Sequence, residues 1–312
     1  MNPSHFPPAI FLMGPTASGK TELAVQLAQK LDTEIISVDS VLVYKGMDIG
    51  TAKPTQEERA GIPHHLIDIL DPAESYSTGS FRTSALQLMA DISNRGKIPV
   101  LVGGTMLYFN ALFKGLAELP EANPAIRKQL DEELALYGNQ AMHERLKVID
   151  PESAIRIHPN DPQRTQRALE VYQLSGKPIS QFFRETQAKP IPYRKIKCIL
   201  WPEDRKALHE KIAKRFNLMV KSGLIDEVSA LYQRGDLSED LPAIRAVGYR
   251  QTWMYLQGKY DQEMMVEKGI IATRQLAKRQ FTWLRQETDF IQFNSLEAGL
   301  FNKTWQKLKP LL

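Results

Sequence analysis

A glycine-rich segment near the start of the chain constrains its fold more than any other feature. Residues 14–21 read Gly-Pro-Thr-Ala-Ser-Gly-Lys-Thr, which fits the spacing G-x-x-x-x-G-K-[ST], and they follow the apolar run at 9–13. A buried strand that leads through such a loop into a helix brings backbone N–H groups and the helix N-terminus to one point. The segment therefore predicts a phosphate-binding loop, in which Lys20 adds a positive charge and Thr21 offers a hydroxyl to Mg²⁺.

The composition narrows the class of protein. The 312 residues are enough for about two structural units, and the single cysteine, Cys198, excludes an internal disulfide and a multi-cysteine metal site. No stretch approaches the roughly 20 apolar residues that span a bilayer, and no signal-peptide pattern opens the chain. We therefore expect a soluble cytoplasmic protein with no membrane partner, and a buried Cys198 within a strand. The net charge of +4 does not by itself indicate a nucleic-acid partner.

Apolar runs that alternate with helical patterns predict an α/β fold with a parallel sheet. The predicted strands after the first one lie at 34–38, 64–69, 98–102 and 195–201, and the later helices at 80–95, 208–222, 225–234, 243–257 and 264–286. Between two proline-containing segments, at 119–120 and 190–192, only helical patterns occur. We interpret residues 118–193 as a helical insertion into a core formed by residues 1–117 and 194–312.

Two further segments are predicted to meet the phosphate-binding loop, because the carboxyl ends of parallel strands share one edge of the sheet. Asp39 follows the second strand, where it can hold Mg²⁺, act as a general base or cap the following turn with Ser40. The spacing does not decide among these roles. Gly103-Gly104-Thr105 follows another strand, and Thr105 is either a substrate contact or a helix N-cap. The pair His64-His65 has no third ligand at metal spacing, which favours a structural role.

Cations are concentrated in two predicted helices. Residues 272–285 contain four cations and no acid, and Arg274, Lys278 and Arg285 follow one stripe, as expected for a surface that binds a nucleic-acid backbone. Arg164 and Arg167 lie in the first turns of a helix that begins at Pro162, where positive charge opposes the helix dipole. Either an external anion such as an RNA phosphate or a salt bridge to Glu170 explains them.

Six segments in the same order resemble the IPP transferase family, the bacterial tRNA dimethylallyltransferases. They are residues 14–21, 39–44, 48–54, 103–108, 160–164 and 245–251. The resemblance extends over nearly the whole chain. At Leu42 the chain departs from the many members that have glutamine three residues after the aspartate, and we expect Leu42 to pack against a base.

The resemblance implies both a fold and a reaction. The fold is a P-loop-kinase-like parallel sheet core whose helical insertion contacts the tRNA anticodon stem-loop. The reaction is the transfer of a dimethylallyl group from dimethylallyl diphosphate to N6 of the adenosine 3′ of the anticodon, tRNA position 37. It implies Mg²⁺ as the cofactor, and we expect the chain to act as a monomer.

The resemblance also assigns roles to residues. Asp39 is the catalytic base, Thr105 positions the reactants and Arg245 neutralises the leaving diphosphate, to which an arginine is better suited than a hydrated lysine. The i, i+4 spacing of Arg245 and Tyr249 predicts that they share one helical face. The diphosphate-binding residues are Gly14, Thr16, Ala17, Ser18, Gly19, Lys20 and Thr21, of which Thr21 also binds the metal. The tRNA-binding residues are Asp39, Ser40, Val41, Leu42, Thr105, Arg127, Gln163, Arg164, Thr165, Gln166, Arg167, Val247, Gly248, Tyr249, Arg250, Gln251, Lys278, Arg279 and Arg285.

Two other functions are compatible with the same loop. A P-loop small-molecule kinase would bind ATP there and transfer its terminal phosphate without responding to RNA. A non-catalytic RNA-binding protein would keep the loop as a vestige, but the presence of Lys20, Thr21 and Asp39 together argues against this reading.

Overall fold

The computed structural model describes residues 6–186 and 190–312. The chain divides into two compact units, one drawn from Met1–Phe113 and Ile191–Leu312 and the other from Lys114–Pro190. The predicted insertion, residues 118–193, falls largely in the second unit.

The first unit is built on one six-stranded parallel sheet, with strand order β3-β2-β4-β1-β5-β6. Its strands are β1 (Pro8–Met13), β2 (Ile35–Val38), β3 (His64–His65), β4 (Val100–Gly103), β5 (Arg194–Trp201) and β6 (Phe290–Asn294). Both faces of the sheet are covered, as near-continuous apolar strands predict. Along β1, Phe11 and Met13 pack into one core, and Ile10 and Leu12 pack into the core on the opposite face.

The helices of this unit cover the sheet and extend beyond it. They are α1 (Lys20–Leu31), α2 (Gln56–Arg59), α3 (Thr78–Asn94), α4 (Met106–Lys114, whose last residue falls in the other unit), α9 (Arg205–Lys221), α10 (Leu224–Gln233), α11 (Tyr249–Leu256), α12 (Gln262–Leu284) and α13 (Leu300–Leu308), with a final 3₁₀ turn at Lys309–Leu311. A third core lies among α9, α10 and α11, with Phe216, Val228 and Trp253 as members.

The second unit contains helices alone within its described part, residues 114–186 and 190. They are α5 (Pro124–Ile149), α6 (Pro151–Arg156), α7 (Pro162–Ser175) and α8 (Ile179–Glu185). Gly138 interrupts α5 with φ +79°, a left-handed conformation that glycine adopts without a Cβ penalty. Leu130, Leu146 and Leu169 centre the apolar core of this unit.

Three sequence expectations need correction. The strand predicted at 64–69 is only two residues long, because Leu66 and Asp68 adopt positive φ (62° and 56°) and leave the extended conformation. The helix predicted at 243–257 begins at Tyr249, and the residues before it form turns that end at Gly248, where φ is +94°. The strand β6 and the helix α13 were not predicted; the strand is short and half-exposed and shows little apolar periodicity.

Two expectations are confirmed, the second of them for His65 of the histidine pair. Cys198 lies in β5 and is fully buried, and the burial raises the pKa of its thiol to about 12. His65 Nε2 lies 2.7 Å from the carboxylate of Glu34, which also pairs with Arg95, so this histidine has a structural role. Among the described residues, no helix is both long enough and apolar enough to cross a membrane.

Candidate active site

The phosphate-binding loop connects β1 to α1 at the carboxyl edge of the sheet. Gly14 passes so close to β5 that a Cβ there would lie 2.8 Å from the carbonyl oxygen of Leu200. Gly19 precedes the helix with φ +80°, which turns the chain into its first turn. The first N–H groups of α1 have no intrahelical acceptor, so they and the helix dipole favour an anion at this point.

Lys20 is held against the loop that it follows. Its Nζ donates to the carbonyl oxygen of Pro15 at 2.6 Å, and it lies 3.4 Å from the hydroxyl of Ser18. Burial lowers the pKa of the ammonium group to about 7, although the carboxylate of Asp39 opposes this shift. An anion in the loop would stabilise the charged form, because a neighbouring negative charge raises the pKa of an ammonium group.

Asp39 follows β2 and has one engaged and one free carboxylate oxygen. Oδ1 accepts hydrogen bonds from the backbone N–H groups of Val41 at 2.9 Å and Leu42 at 3.4 Å, as in the predicted turn. Oδ2 has no hydrogen-bond partner within residues 6–186 and 190–312. Burial raises the pKa of the carboxyl group, while the two backbone N–H groups and the charges of Lys20 and Arg215 partly offset this rise. A raised pKa makes the carboxylate a better proton acceptor.

Thr105 lies close to Asp39 because its hydroxyl contacts Ser40, the residue that follows Asp39. Its Oγ1 accepts a hydrogen bond from the backbone N–H of Ser40 at 3.1 Å and donates toward the Ser40 hydroxyl at 3.4 Å. Its carbonyl oxygen accepts from the N–H groups of Tyr108 and Phe109 at the start of α4. Thr105 therefore occupies the N-terminal position of that helix, but its side chain fixes Ser40 instead of capping the helix.

These segments surround one cavity of about 620 Å³ in the first unit. The loop residues 16–21 line one side, and Asp39, Ser40 and Thr105 line another. Further lining comes from residues 41–42, 50–52 and 54, and from α9 and α12. Six of the seven predicted diphosphate residues, Thr16 to Thr21, and the predicted base thus line one cavity, whereas Gly14 does not line it.

Arg215 is a cavity residue that the sequence reasoning missed. It lies half-buried on α9, where burial lowers the pKa of its guanidinium while Asp39 raises it, and it makes no hydrogen bond or ion pair in the described part of the chain. A detectable signal existed, because Arg215 lies on the apolar helical stripe formed by Ile212, Phe216 and Met219. A cation on such a stripe marks a site that needs positive charge.

The segment 245–251 divides between the cavity and the core. Arg245 and Val247 line the cavity, and Arg250 is exposed. Tyr249 is fully buried, and its hydroxyl donates to the carboxylate of Glu227. The resemblance implies that Tyr249 contacts tRNA, but its buried side chain is not available to RNA. Arg245 and Tyr249 also do not share a helical face, since Arg245 precedes the helix.

Glu227 satisfies the buried hydroxyl of Tyr249 and also binds the backbone of the neighbouring loop. Its carboxylate accepts hydrogen bonds from the backbone N–H groups of Asp48, Ile49 and Gly50 at 2.7–3.0 Å, in addition to the tyrosine hydroxyl. Gly50 approaches the ring so closely that a Cβ there would lie 2.5 Å from Tyr249. Glu227 and Tyr249 therefore hold residues 48–50, of which Gly50 lines the cavity.

The predicted basic stripe on α12 is only partly exposed. Lys278, Arg279 and Arg285 are exposed, and Arg279 also lines the cavity. Arg274 is half-buried, and its Nε is buried without a hydrogen-bond partner in the described residues. Trp283, 36% exposed, lies at the cavity one helical turn after Arg279.

In the second unit, the buried carboxylate of Glu170 organises the predicted RNA contacts. Arg127 Nε lies 3.0 Å and Arg167 Nη1 2.6 Å from its oxygens, which confirms the salt-bridge explanation for Arg167.

Thr165 is 2% exposed, so its predicted RNA contact is wrong for the side chain. Arg164 has a side chain that is 69% exposed. Gln163 is exposed, and Gln166 donates to the carbonyl oxygen of Arg127 and to Asp131.

The cavity contains oxygen donors of the kind that Mg²⁺ prefers. Thr21 is exposed at the start of α1, and the hydroxyl of Ser37 is buried without a hydrogen-bond partner in the described chain. Both line the cavity with Asp39. Within residues 6–186 and 190–312, no cluster of three or more His, Cys, Asp or Glu side chains could hold a metal. Such a donor set fits Mg²⁺, which keeps several waters and takes few protein ligands, better than it fits zinc.

Comparison with known proteins agrees with this geometry. A family model described as IPP transferase matches residues 42–287, and one described as isopentenyl transferase matches residues 8–70. The tRNA dimethylallyltransferase of Methylococcus capsulatus is 55% identical over 312 residues, which cover 100% of both chains. That of Thioalkalivibrio sulfidiphilus is 62% identical over 279 residues, which cover 89% of this chain and 87% of the relative.

A solved structure shares the fold. It is that of a eukaryotic dimethylallyltransferase acting on tRNA, with a TM-score of 0.81 and 28% identity, and the match covers 97% of this chain and 78% of that one. The predicted P-loop-kinase-like α/β fold is thereby confirmed. Since the family model spans most of the sequence and a relative of full length shares more than half of its residues, the chain belongs to the IPP transferase family.

Proposed function

We infer that this protein is a tRNA dimethylallyltransferase, which moves a dimethylallyl group from dimethylallyl diphosphate to N6 of the adenosine 3′ of the anticodon. The observation that carries the inference is the single cavity in which a phosphate-binding loop faces a carboxylate with a free oxygen and a raised pKa. An adenine amino group is a poor nucleophile, and a nearby base makes its attack feasible.

The positive side of the cavity is suited to the leaving diphosphate. The loop N–H groups, Lys20, Arg215 and Arg245 line it. As the bond between the allylic carbon and oxygen breaks, negative charge collects on the diphosphate, and preorganised cations and N–H dipoles stabilise it. The backbone groups proposed for this role are those of Gly14, Ala17, Ser18 and Gly19. Thr16 contributes its side chain, because its N–H already donates to Gln280.

We propose Mg²⁺ as the metal, held by the hydroxyl of Thr21 and by phosphate oxygens, with Ser37 within the same cavity. A bound Mg²⁺ would neutralise part of the diphosphate charge. Asp39 remains the base in this proposal, since its engaged oxygen fixes its orientation and its second oxygen is free to take the proton.

The base side of the cavity receives the nucleotide. The N6 lone pair forms a bond to the terminal allylic carbon, the bond from that carbon to the diphosphate oxygen breaks, and the N6 proton passes to Asp39. Thr105 fixes Ser40, and with it the loop that carries Asp39. The adenosine must leave its stack to enter, at a cost of a few kcal/mol that contacts to the surrounding RNA offset.

The proposed RNA contacts divide between the two units. In the first unit they are Asp39, Ser40, Val41, Leu42, Thr105, Val247, Gly248, Arg250, Gln251, Lys278, Arg279 and Arg285, and in the second Arg127, Gln163, Arg164, Gln166 and Arg167. We propose that the chain acts as a monomer and, because its substrate is tRNA, that it acts in the cytoplasm.

The proposal is tested by incubating the protein with Mg²⁺, an anticodon stem-loop and dimethylallyl diphosphate labelled in the allyl group. We expect the label on the RNA, and none when inosine, which lacks the exocyclic amine, replaces the target adenosine. Asp39→Asn should lower the transfer rate by about 10²–10⁴-fold and leave RNA affinity within a few-fold, because a base acts in the chemical step. Asp32→Asn, on an exposed carboxylate, is the matched control.

Two results would contradict the proposal. Phosphate transfer from ATP without labelling of RNA would identify a kinase. RNA binding without any transfer would identify a binding protein.

A further inference from the structure

We propose that Gln280 is a positioning residue that holds the diphosphate side of the cavity at a fixed distance from the side that carries Asp39. Gln280 lies on α12 with 8% of its surface exposed. Its Oε1 accepts the backbone N–H of Thr16 at 2.8 Å, and its Nε2 donates to the carbonyl oxygen of Gly104 at 2.9 Å. One amide group thus joins two loops of the cavity.

The two loops have different tasks in the proposed reaction, on which this inference rests. Thr16 belongs to the loop that would hold the diphosphate. Gly104 directly precedes Thr105, whose hydroxyl fixes Ser40 beside the proposed base. Gln280, which itself lines the cavity, therefore links the leaving-group side to the proton-accepting side.

Gly104 supports this reading independently. A Cβ on Gly104 would lie 2.4 Å from Gln280 Nε2 and 3.4 Å from the carbonyl oxygen of Gly14. The absence of a side chain at this residue thus allows the amide to reach the carbonyl oxygen. The group that approaches Gly104 this closely is therefore the side-chain amide of Gln280.

A link of this kind should affect the rate more than binding. Transfer requires N6 and the allylic carbon to be held close and aligned, and a displacement of about 1 Å can cost about 100-fold in rate. Each substrate keeps its own contacts when the two loops drift apart, so its affinity changes little. A residue that only stabilises the fold would change the unfolding temperature and leave the rate of the folded protein unaltered.

The test compares Gln280→Met, which keeps the length and removes both hydrogen bonds, with Gln275→Met on the exposed side of the same helix. We expect Gln280→Met to lower the single-turnover rate at saturating substrates by about 10–100-fold. Its dissociation constants for an anticodon stem-loop and for inorganic pyrophosphate should stay within about threefold of the original protein. Gln275→Met should behave as the unchanged protein.

Gly104→Ala provides a second route to the same loss, because its methyl group displaces the amide. The effects of Gly104→Ala and Gln280→Met on the rate should be non-additive in the double variant, since both disrupt the contact between Gln280 and Gly104. Hydrogen exchange gives a readout that does not require turnover, and the Thr16 amide should exchange faster in Gln280→Met than in Gln275→Met.

The inference is overturned by a Gln280→Met protein with the original rate and the original exchange at Thr16. It is also overturned if the variant loses affinity for pyrophosphate as strongly as it loses rate, since Gln280 would then act in binding. Failure of the proposed function is separate, because it appears as absence of transfer by the unaltered protein, and the exchange experiment still decides the role of Gln280.

Discussion

The variant Tyr249→Phe tests whether Tyr249 stabilises the cavity wall through Glu227 or contacts RNA. The tyrosine ring is fully buried, and phenylalanine keeps that burial. The substitution removes one hydrogen bond to a carboxylate, from the hydroxyl to Glu227. The remaining three backbone N–H donors of residues 48–50 keep Glu227 satisfied, so no uncompensated charge is left.

The expected cost follows from this single lost contact. A hydrogen bond to a charged group contributes about 1.5–3 kcal/mol to the free energy of unfolding. For a unit of this size the midpoint of thermal unfolding should fall by roughly 3–12 °C. Because Tyr249 does not reach the surface, affinity for an anticodon stem-loop should stay within about twofold.

The assay combines urea unfolding with fluorescence anisotropy of a labelled stem-loop at fixed salt. Tyr255→Phe is the matched control, since it lies on the same helix and its hydroxyl has no hydrogen-bond partner in the described chain. It should leave both quantities unchanged. Unaltered stability of Tyr249→Phe together with a large loss of RNA affinity would refute the assignment and restore Tyr249 as an RNA contact.

Arg164→Ala should weaken stem-loop binding, because the side chain is 69% exposed. The slope of the logarithm of affinity against the logarithm of salt concentration should fall by about one phosphate contact. An unchanged slope in an anisotropy titration would show that Arg164 lies outside the interface. Arg167→Ala should lower the free energy of unfolding of the second unit by about 1–3 kcal/mol, since the buried Glu170 loses a partner. Unaltered urea unfolding would contradict that role. Ellman's reagent should label Cys198 slowly in the native protein and at once in urea, because its thiol is buried with a raised pKa; rapid native labelling would contradict the burial.

The sequence predicted those parts of the site that depend on neighbouring residues. A strand, a glycine-rich turn and a helix start are local patterns, so the phosphate-binding loop and Lys20 followed from residues 9–31 alone. The position of Asp39 followed from one further rule, that parallel strands end at a common edge. The salt bridge of Arg167 to Glu170, three residues away, was likewise among the alternatives that the sequence offered.

The contacts that the sequence did not determine join residues far apart along the chain. Gln280 binds Thr16 across 264 positions, and Tyr249 reaches a carboxylate whose other donors lie at residues 48–50. Local patterns carry no information about such pairs, because a glutamine or tyrosine on an amphipathic helix fits equally well at a surface or beneath a loop. The sequence by itself determined the chemistry of the loop and its sheet edge. The tertiary structure decided which cations face the cavity and which polar side chains hold its walls, since only packing brings α9, α11 and α12 against those loops.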